Sequence, residues 1–91
     1  MQTFLIERHF GHVTPEQLQA GGSTSKRVAA EQFAGTIVWE RSHATQTPAG
    51  LVTYCLYQAP DEQTVRAHAT AAGLPCDKVM AVDVVGPADF A

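Results

Sequence analysis

The stretch LVTYCLYQAPDEQTVRAHATAAG (residues 51–73) joins a strand-like segment to a capped helix. Its first eight residues are mostly apolar and rich in β-branched and aromatic side chains, which predicts a strand over residues 51–58. Pro60 bounds the strand, Asp61 caps the helix that follows, and Gly73 is the expected helix stop. This strand followed by a helix is the unit for which the rest of the chain is next searched.

Three further segments have the composition of strands: TFLIERHF (3–10), TIVWERSH (36–43) and KVMAVDVV (78–85). TQTPAG (45–50) is predicted to be a turn-rich loop. With a helix after the first strand, the order is β-α-β-β-α-β, the ferredoxin-like split-βαβ arrangement. Right-handed crossovers then give an antiparallel sheet in the order 4-1-3-2 with both helices on one face. The predicted class is an α+β ferredoxin-like sandwich.

The first helix begins at TPEQ (14–17), where Thr14 caps and Gln17 completes a capping box. We expect it to continue to about Phe33. AGGS (20–23) offers an alternative, a break with Ser23 as a second cap, because each interior glycine costs about 1 kcal/mol relative to alanine.

Composition indicates a single globular domain over residues 1–91, with its core at about 3–85. The 91 residues are 45% hydrophobic and 16% charged, with a net charge of −3. No stripe of Lys and Arg is present, so we expect no nucleic-acid partner. The N-terminus lacks the pattern of a signal peptide and no apolar run suits a membrane helix, so we expect a cytoplasmic protein with reduced cysteines.

Strand periodicity predicts which side chains face the helices and which lie on the open face, the sheet surface away from the helices. The helix-facing set is Phe4, Ile6, Phe10, Val52, Leu56, Met80, Val82 and Val84, with Arg8 as a polar exception on the first strand. The open-face set is Thr3, Leu5, Glu7, His9, Thr53, Cys55, Tyr57, Ala81 and Asp83. A face of this mixed character suits a homodimer that packs sheet to sheet, a dimeric α+β barrel.

Glu7 and His9 are two residues apart, so their side chains point the same way from one strand. Carboxylate and imidazole are suitable ligands for zinc, nickel, copper or iron. The alternative is a solvated pair at an exposed strand end. Cys55 would add a soft ligand from the neighbouring strand, although a free cysteine is more usually a small buried hydrophobe.

His68 lies on the apolar stripe of the second helix, because Val65, His68, Ala69 and Ala72 follow helical spacing. The alternative is a core histidine that is hydrogen-bonded to backbone. The predicted orientation of the side chains places His68 on the helix side of the sheet and Glu7 and His9 on the other side. One site that used all three would contradict that assignment unless it lay at the sheet's edge.

The ordered segments FLIERHF, TPEQL, VWERS, YCLYQAP and VRAHATAAGLP together resemble a family of small bacterial nickel-binding, ferredoxin-like proteins over roughly residues 3–85. The resemblance implies a sheet-to-sheet homodimer in a family with at least one nickel-binding member, and no established catalysis. Among the matching positions, Glu7, His9, Cys55 and His68 could coordinate the metal.

A second hypothesis is an enzyme or small-ligand-binding protein of the dimeric α+β-barrel type. Its ligand would occupy the cavity between helices and sheet, where His68, Tyr54 or Tyr57 would be the polar groups. The sequence contains neither a nucleophile motif nor a phosphate-binding glycine loop, so we favour metal binding over catalysis.

Overall fold

The expected alternation of strands and helices is present in the computed structural model, which describes residues 1–91. The elements are β1 (Gln2–Gly11), α1 (Pro15–Gln32), β2 (Val38–Thr47), β3 (Gly50–Ala59), α2 (Glu62–Ala72), β4 (Lys78–Val82) and a 3-10 turn (Pro87–Asp89). One antiparallel sheet has the order β2-β3-β1-β4. The predicted order 4-1-3-2 is therefore confirmed, and so is the α+β class. Neither helix is long and apolar enough to cross a membrane.

Local capping begins both helices as the sequence predicts. Thr14 Oγ1 accepts a hydrogen bond from Gln17 N at 3.1 Å, and Gln17 Oε1 accepts one from Thr14 N at 2.8 Å. Helix α1 continues without interruption through Gly21 and Gly22, so the alternative of a break there was wrong. Helix α2 ends at Gly73, whose φ of 69° is the left-handed conformation that glycine adopts without strain.

Strands β2 and β3 form a tighter hairpin than the sequence suggested. β2 continues to Thr47, so most of the predicted loop at 45–50 is strand. Gly50 begins β3 with φ 113°, and a Cβ there would lie 2.1 Å from the carbonyl carbon of Gly11. Only glycine fits this approach, which fixes the start of β3 against the end of β1.

The register of β1 and β3 corrects the predicted facing of β3. Phe4 pairs with Tyr57 and Ile6 pairs with Cys55, so these side chains share the helix-facing side. The prediction that Cys55 and Tyr57 lie on the open face was wrong. β3 is a central strand that is buried almost throughout, and Tyr54 is its one exposed residue. Apolar side chains therefore occur on both of its faces, and alternation carries no signal.

The prediction of which β4 side chains face the helices was also wrong. Val79 pairs with Ile6 and packs against the core, while Met80 pairs with Leu5 on the open face and is 41% exposed. Val82 lies on the same side as Met80, and Val84 lies beyond the end of the strand. Both faces of this short edge strand carry apolar residues, so hydrophobicity alone could not choose between them.

The core lies between the helices and one face of the sheet. Its buried members are Phe4, Ile6, Ile37, Cys55, Tyr57, Ala59 and Val65. The opposite surface is the open face, which no helix covers. The strand registers assign it Thr3, Leu5, Glu7, His9, Val38, Arg41, His43, Thr45, Val52, Tyr54, Leu56, Gln58, Lys78, Met80 and Val82.

Replacing Asp61 with alanine should lower the free energy of unfolding, because the N-cap hydrogen bonds of α2 are lost. The Asp61 carboxylate accepts hydrogen bonds from Thr64 N at 2.8 Å and Thr64 Oγ1 at 2.7 Å, which lowers the pKa of the carboxyl group. Urea unfolding at neutral pH measures the change. Asp61→Asn is the matched control, since asparagine also caps and should retain most of the stability. Equal losses in both variants would show that the cap hydrogen bonds do not stabilise α2.

Candidate functional site

Glu7 and His9 form a close pair on the open face. The Nε2 atom of His9 lies 2.6 Å from Oε2 of Glu7, and the histidine ring is well exposed to solvent. Because the two residues are alternate positions of β1, the strand itself holds both side chains on one side. The prediction that they share the open face is confirmed. Ligation of a metal by them stays a prediction.

The segment before β4 holds this end of β1 in place. Asp77 N donates a hydrogen bond to the carbonyl oxygen of Glu7 at 3.0 Å, and an Asp77 carboxylate oxygen accepts one from His9 N at 2.6 Å. One residue therefore holds the backbone of both Glu7 and His9. This support leaves the His9 ring and the Glu7 carboxylate accessible.

A row of polar side chains crosses the sheet at the level of Glu7. Tyr54 on β3 and Lys78 on β4 pair with Glu7, and His43 on β2 pairs with Tyr54. Beside this row, the open face has a hollow of about 520 Å³ whose lining includes Glu7, His9 and Tyr54. A small ion or a side chain from another molecule can therefore approach the pair.

Cys55 and His68 lie on the other side of the sheet from Glu7 and His9. Cys55 is 5% exposed within the core cluster, with its Sγ 3.4 Å from Thr53 Oγ1. His68 is buried between α2 and the sheet. The structure does not bring the four candidate ligands together. No three His, Cys, Asp or Glu side chains within this chain form a group that could hold a metal ion.

His68 has the environment of a structural core histidine. Its Nε2 lies 3.1 Å from the carbonyl oxygen of Ser25, which can only accept, so this nitrogen carries the proton. The ring makes an edge contact with Phe33 and a tilted contact with Tyr57, each at 5.6 Å between ring centres. Burial lowers the pKa of His68, with a smaller contribution from the positive charge of Arg8.

A cavity of about 530 Å³ lies between α1 and the helix-facing side of the sheet. We call it the helix–sheet cavity. Of the polar groups proposed for such a cavity, Tyr57 lines it, His68 does not, and Tyr54 lies on the open face. The Tyr57 hydroxyl lies 3.3 Å from Ser25 Oγ, and burial raises the pKa of the phenol.

Arg8 also lines the helix–sheet cavity, although no functional role was predicted for it from the sequence. It is 1% exposed, donates a hydrogen bond from Nη1 to the carbonyl oxygen of Pro75 at 2.7 Å, and leaves Nη2 without a partner. The sequence contained the signal, because the alternation of β1 places a charged residue among the helix-facing positions Phe4, Ile6 and Phe10.

Comparison with known proteins places the chain in a family of small α+β proteins. It belongs to the SCO4226-like family, described as nickel responsive protein SCO4226-like, whose model matches residues 4–82. Its fold is similar to the crystal structure of SCO4226 from Streptomyces coelicolor A3(2), at a TM-score of 0.71 and 22% identity. That likeness covers 92% of this chain and 99% of the other. No curated protein matches the chain.

The stability of the protein should decrease below neutral pH because of His68. Its folded-state pKa is lowered, so its full contribution to stability is present above the unfolded-state pKa of about 6.5 and is lost as the pH falls through the folded-state value. Urea unfolding at successive pH values between neutral and mildly acidic measures the loss.

His68→Gln retains a side-chain N–H for the Ser25 carbonyl but does not titrate, so its loss of stability with acid should be smaller. His12→Gln, at an exposed position, should behave as the natural protein does. An undiminished loss in His68→Gln would contradict the assignment of the effect to His68.

Proposed function

We propose that this protein binds a divalent transition metal through His9 and Glu7 on the open face. Nickel is the metal that we expect it to prefer. The observation that carries the proposal is the 2.6 Å approach of His9 Nε2 to Glu7 Oε2 on an accessible surface. Imidazole and carboxylate also suit zinc and copper. The preference for nickel rests on the description of the family as nickel responsive.

The metal would be shared between two copies of the chain. One chain offers only two ligands at this position, whereas transition metals in proteins usually take four or more. A two-fold axis through the open face would add the partner's imidazole and carboxylate and give a site with two histidines and two glutamates. Face-to-face sheets pack about 10 Å apart, a spacing that opposed side chains can bridge.

The character of the open face supports a homodimer. It carries the exposed side chains of Met80 and Tyr54 beside Leu5 and Leu56, and neither helix covers it. A polar row through Glu7 next to apolar rows would set the register of two packed sheets. The metal would then lie at the dimer interface.

Cys55 and His68 are not part of the proposed site. Both lie in the layer between the sheet and the helices, so the body of the sheet separates them from His9 and Glu7. Their burial and contacts are explained by packing. The proposal therefore retains two of the four residues that the sequence suggested.

Isothermal titration of the metal-free protein with nickel should give binding at one ion for every two chains. His9→Ala and Glu7→Gln should each weaken it by at least about tenfold, because each removes two of the four ligands in the dimer. Binding should also weaken at acidic pH, since a ligating imidazole must be free of its proton. His12→Ala is the matched control, because His12 is exposed and lies one residue beyond the end of β1.

Unchanged nickel binding in His9→Ala would overturn the assignment of the site. Equal losses in His12→Ala and His9→Ala would point instead to non-specific binding by surface histidines.

Leu5→Arg should convert the dimer to monomers. Leu5 pairs with Leu56 and Met80 in the middle of the open face, so an arginine there would place two like charges together across the interface. Sedimentation equilibrium measures the change. Gln32→Arg adds the same charge at an exposed position of α1 and should leave the dimer intact. A natural protein that sediments as a monomer, with and without nickel, would refute the shared site.

A further inference from the structure

Arg8 is a buried charge without a counter-ion. Its guanidinium carries a positive charge, yet the side chain is only 1% exposed. Nη1 donates to the Pro75 carbonyl and the guanidinium carbon lies 5.6 Å from the centre of the Tyr57 ring, but Nη2 has no hydrogen-bond partner. The ion pairs of the chain, His9–Glu7 and Arg66–Glu62, do not include it. Buried charges in proteins are almost always paired, so this guanidinium has an unused capacity to bind an anion.

The helix–sheet cavity provides space for the rest of such an anion. Beside Arg8, its lining includes hydroxyl groups from Ser25, Thr53 and Tyr57. Its apolar walls come from Phe10, Leu18, Trp39 and Leu74. The Trp39 ring stacks on Tyr57, with an angle of 8° between the rings and 6.2 Å between their centres. The combination of apolar walls and a few polar groups near one charge is typical of small-molecule sites.

Two glycines in the middle of α1 keep the cavity open. Gly21 and Gly22 both line it, and a Cβ on Gly22 would lie 3.9 Å from the Trp39 ring. Their backbone is helical, so the conformation does not require glycine. Interior glycines weaken a helix relative to alanine, and here larger side chains would extend into the cavity.

We propose that the helix–sheet cavity binds a small organic monocarboxylate with an apolar body, whose carboxylate accepts hydrogen bonds from Arg8 Nη2 and from the Tyr57 and Ser25 hydroxyls. One buried cation matches one negative charge, and guanidinium–carboxylate hydrogen bonds are among the stronger ones in proteins. The apolar body lies against Trp39 and Leu18. Because Nη2 is shielded from solvent, this contact requires side chains at the cavity floor to move when the carboxylate enters.

This site lies on the opposite side of the sheet from the proposed metal site and shares no ligand with it. Arg8 projects from β1 toward the helices, whereas Glu7 and His9 project toward the open face. A protein that fails to bind nickel could still bind the carboxylate, and the reverse also holds.

The test is a titration of the metal-free 91-residue chain. Binding is monitored through the chemical shifts of the backbone amides. The probes are hexanoate, phenylacetate and 3-phenylpropanoate, each compared with its uncharged amide. We expect binding of at least one carboxylate at millimolar concentration, at least about tenfold tighter than its amide. The largest amide shifts should be those of Gly21, Gly22, Ser25, Thr53, Cys55 and Tyr57, which line the cavity.

Arg8→Gln should remove the preference for carboxylate over amide, whereas Arg41→Gln, which removes an exposed charge on the open face, should retain it. Gly22→Leu keeps Arg8, favours the helix and fills the cavity, so it should weaken binding of carboxylate and amide alike. Far-UV circular dichroism shows whether Arg8→Gln folds. If it does not, Gly22→Leu still tests whether the ligand binds in the helix–sheet cavity.

Four results would overturn the proposal. They are the absence of shifts with every carboxylate at about 10 mM, equal binding of carboxylates and amides, shifts that map to the open face, and unchanged binding in Gly22→Leu.

Discussion

The antiparallel pairing of β1 with β3 is the contact on which the rest of the structure depends. Its register places Ile6 opposite Cys55 and Glu7 opposite Tyr54, and thereby decides which side chains meet the helices and which remain on the open face. A slip of one residue would exchange the two sets, because successive side chains of a strand point to opposite faces. The contact of Gly50 with Gly11 at one end of the pair opposes such a slip.

The sequence was most informative where the signal is local. Thr14 and Asp61 cap helices through residues three positions away, so both helix starts followed from short motifs. Topology followed from the order of elements. The orientation of the β3 side chains could not be predicted from the sequence, because this central strand is apolar on both sides. Pairing with β1 sets their orientation. Such pairing is a long-range property that alternation within one strand does not contain.

The candidate site residues also differ in whether local sequence or long-range pairing determines their position. Glu7 and His9 could be placed together from their spacing alone, since a single strand positions both. Cys55 could not be placed relative to them, because its position depends on the register between two strands. Arg8 was visible as an exception to an apolar pattern. Its significance emerged only when the structure showed that no acidic side chain reaches it.

The loop of residues 75–77 contacts three consecutive residues of β1. The Pro75 carbonyl accepts from Arg8, and Asp77 bonds to the backbone of Glu7 and His9. The loop is thus a shared mechanical support for two surfaces that face opposite directions. An occupant that displaced this loop from one side would also disturb the hydrogen bonds that hold the backbone on the other. By thermodynamic linkage, an occupant that alters affinity across the sheet must have its own affinity altered by the same factor in return.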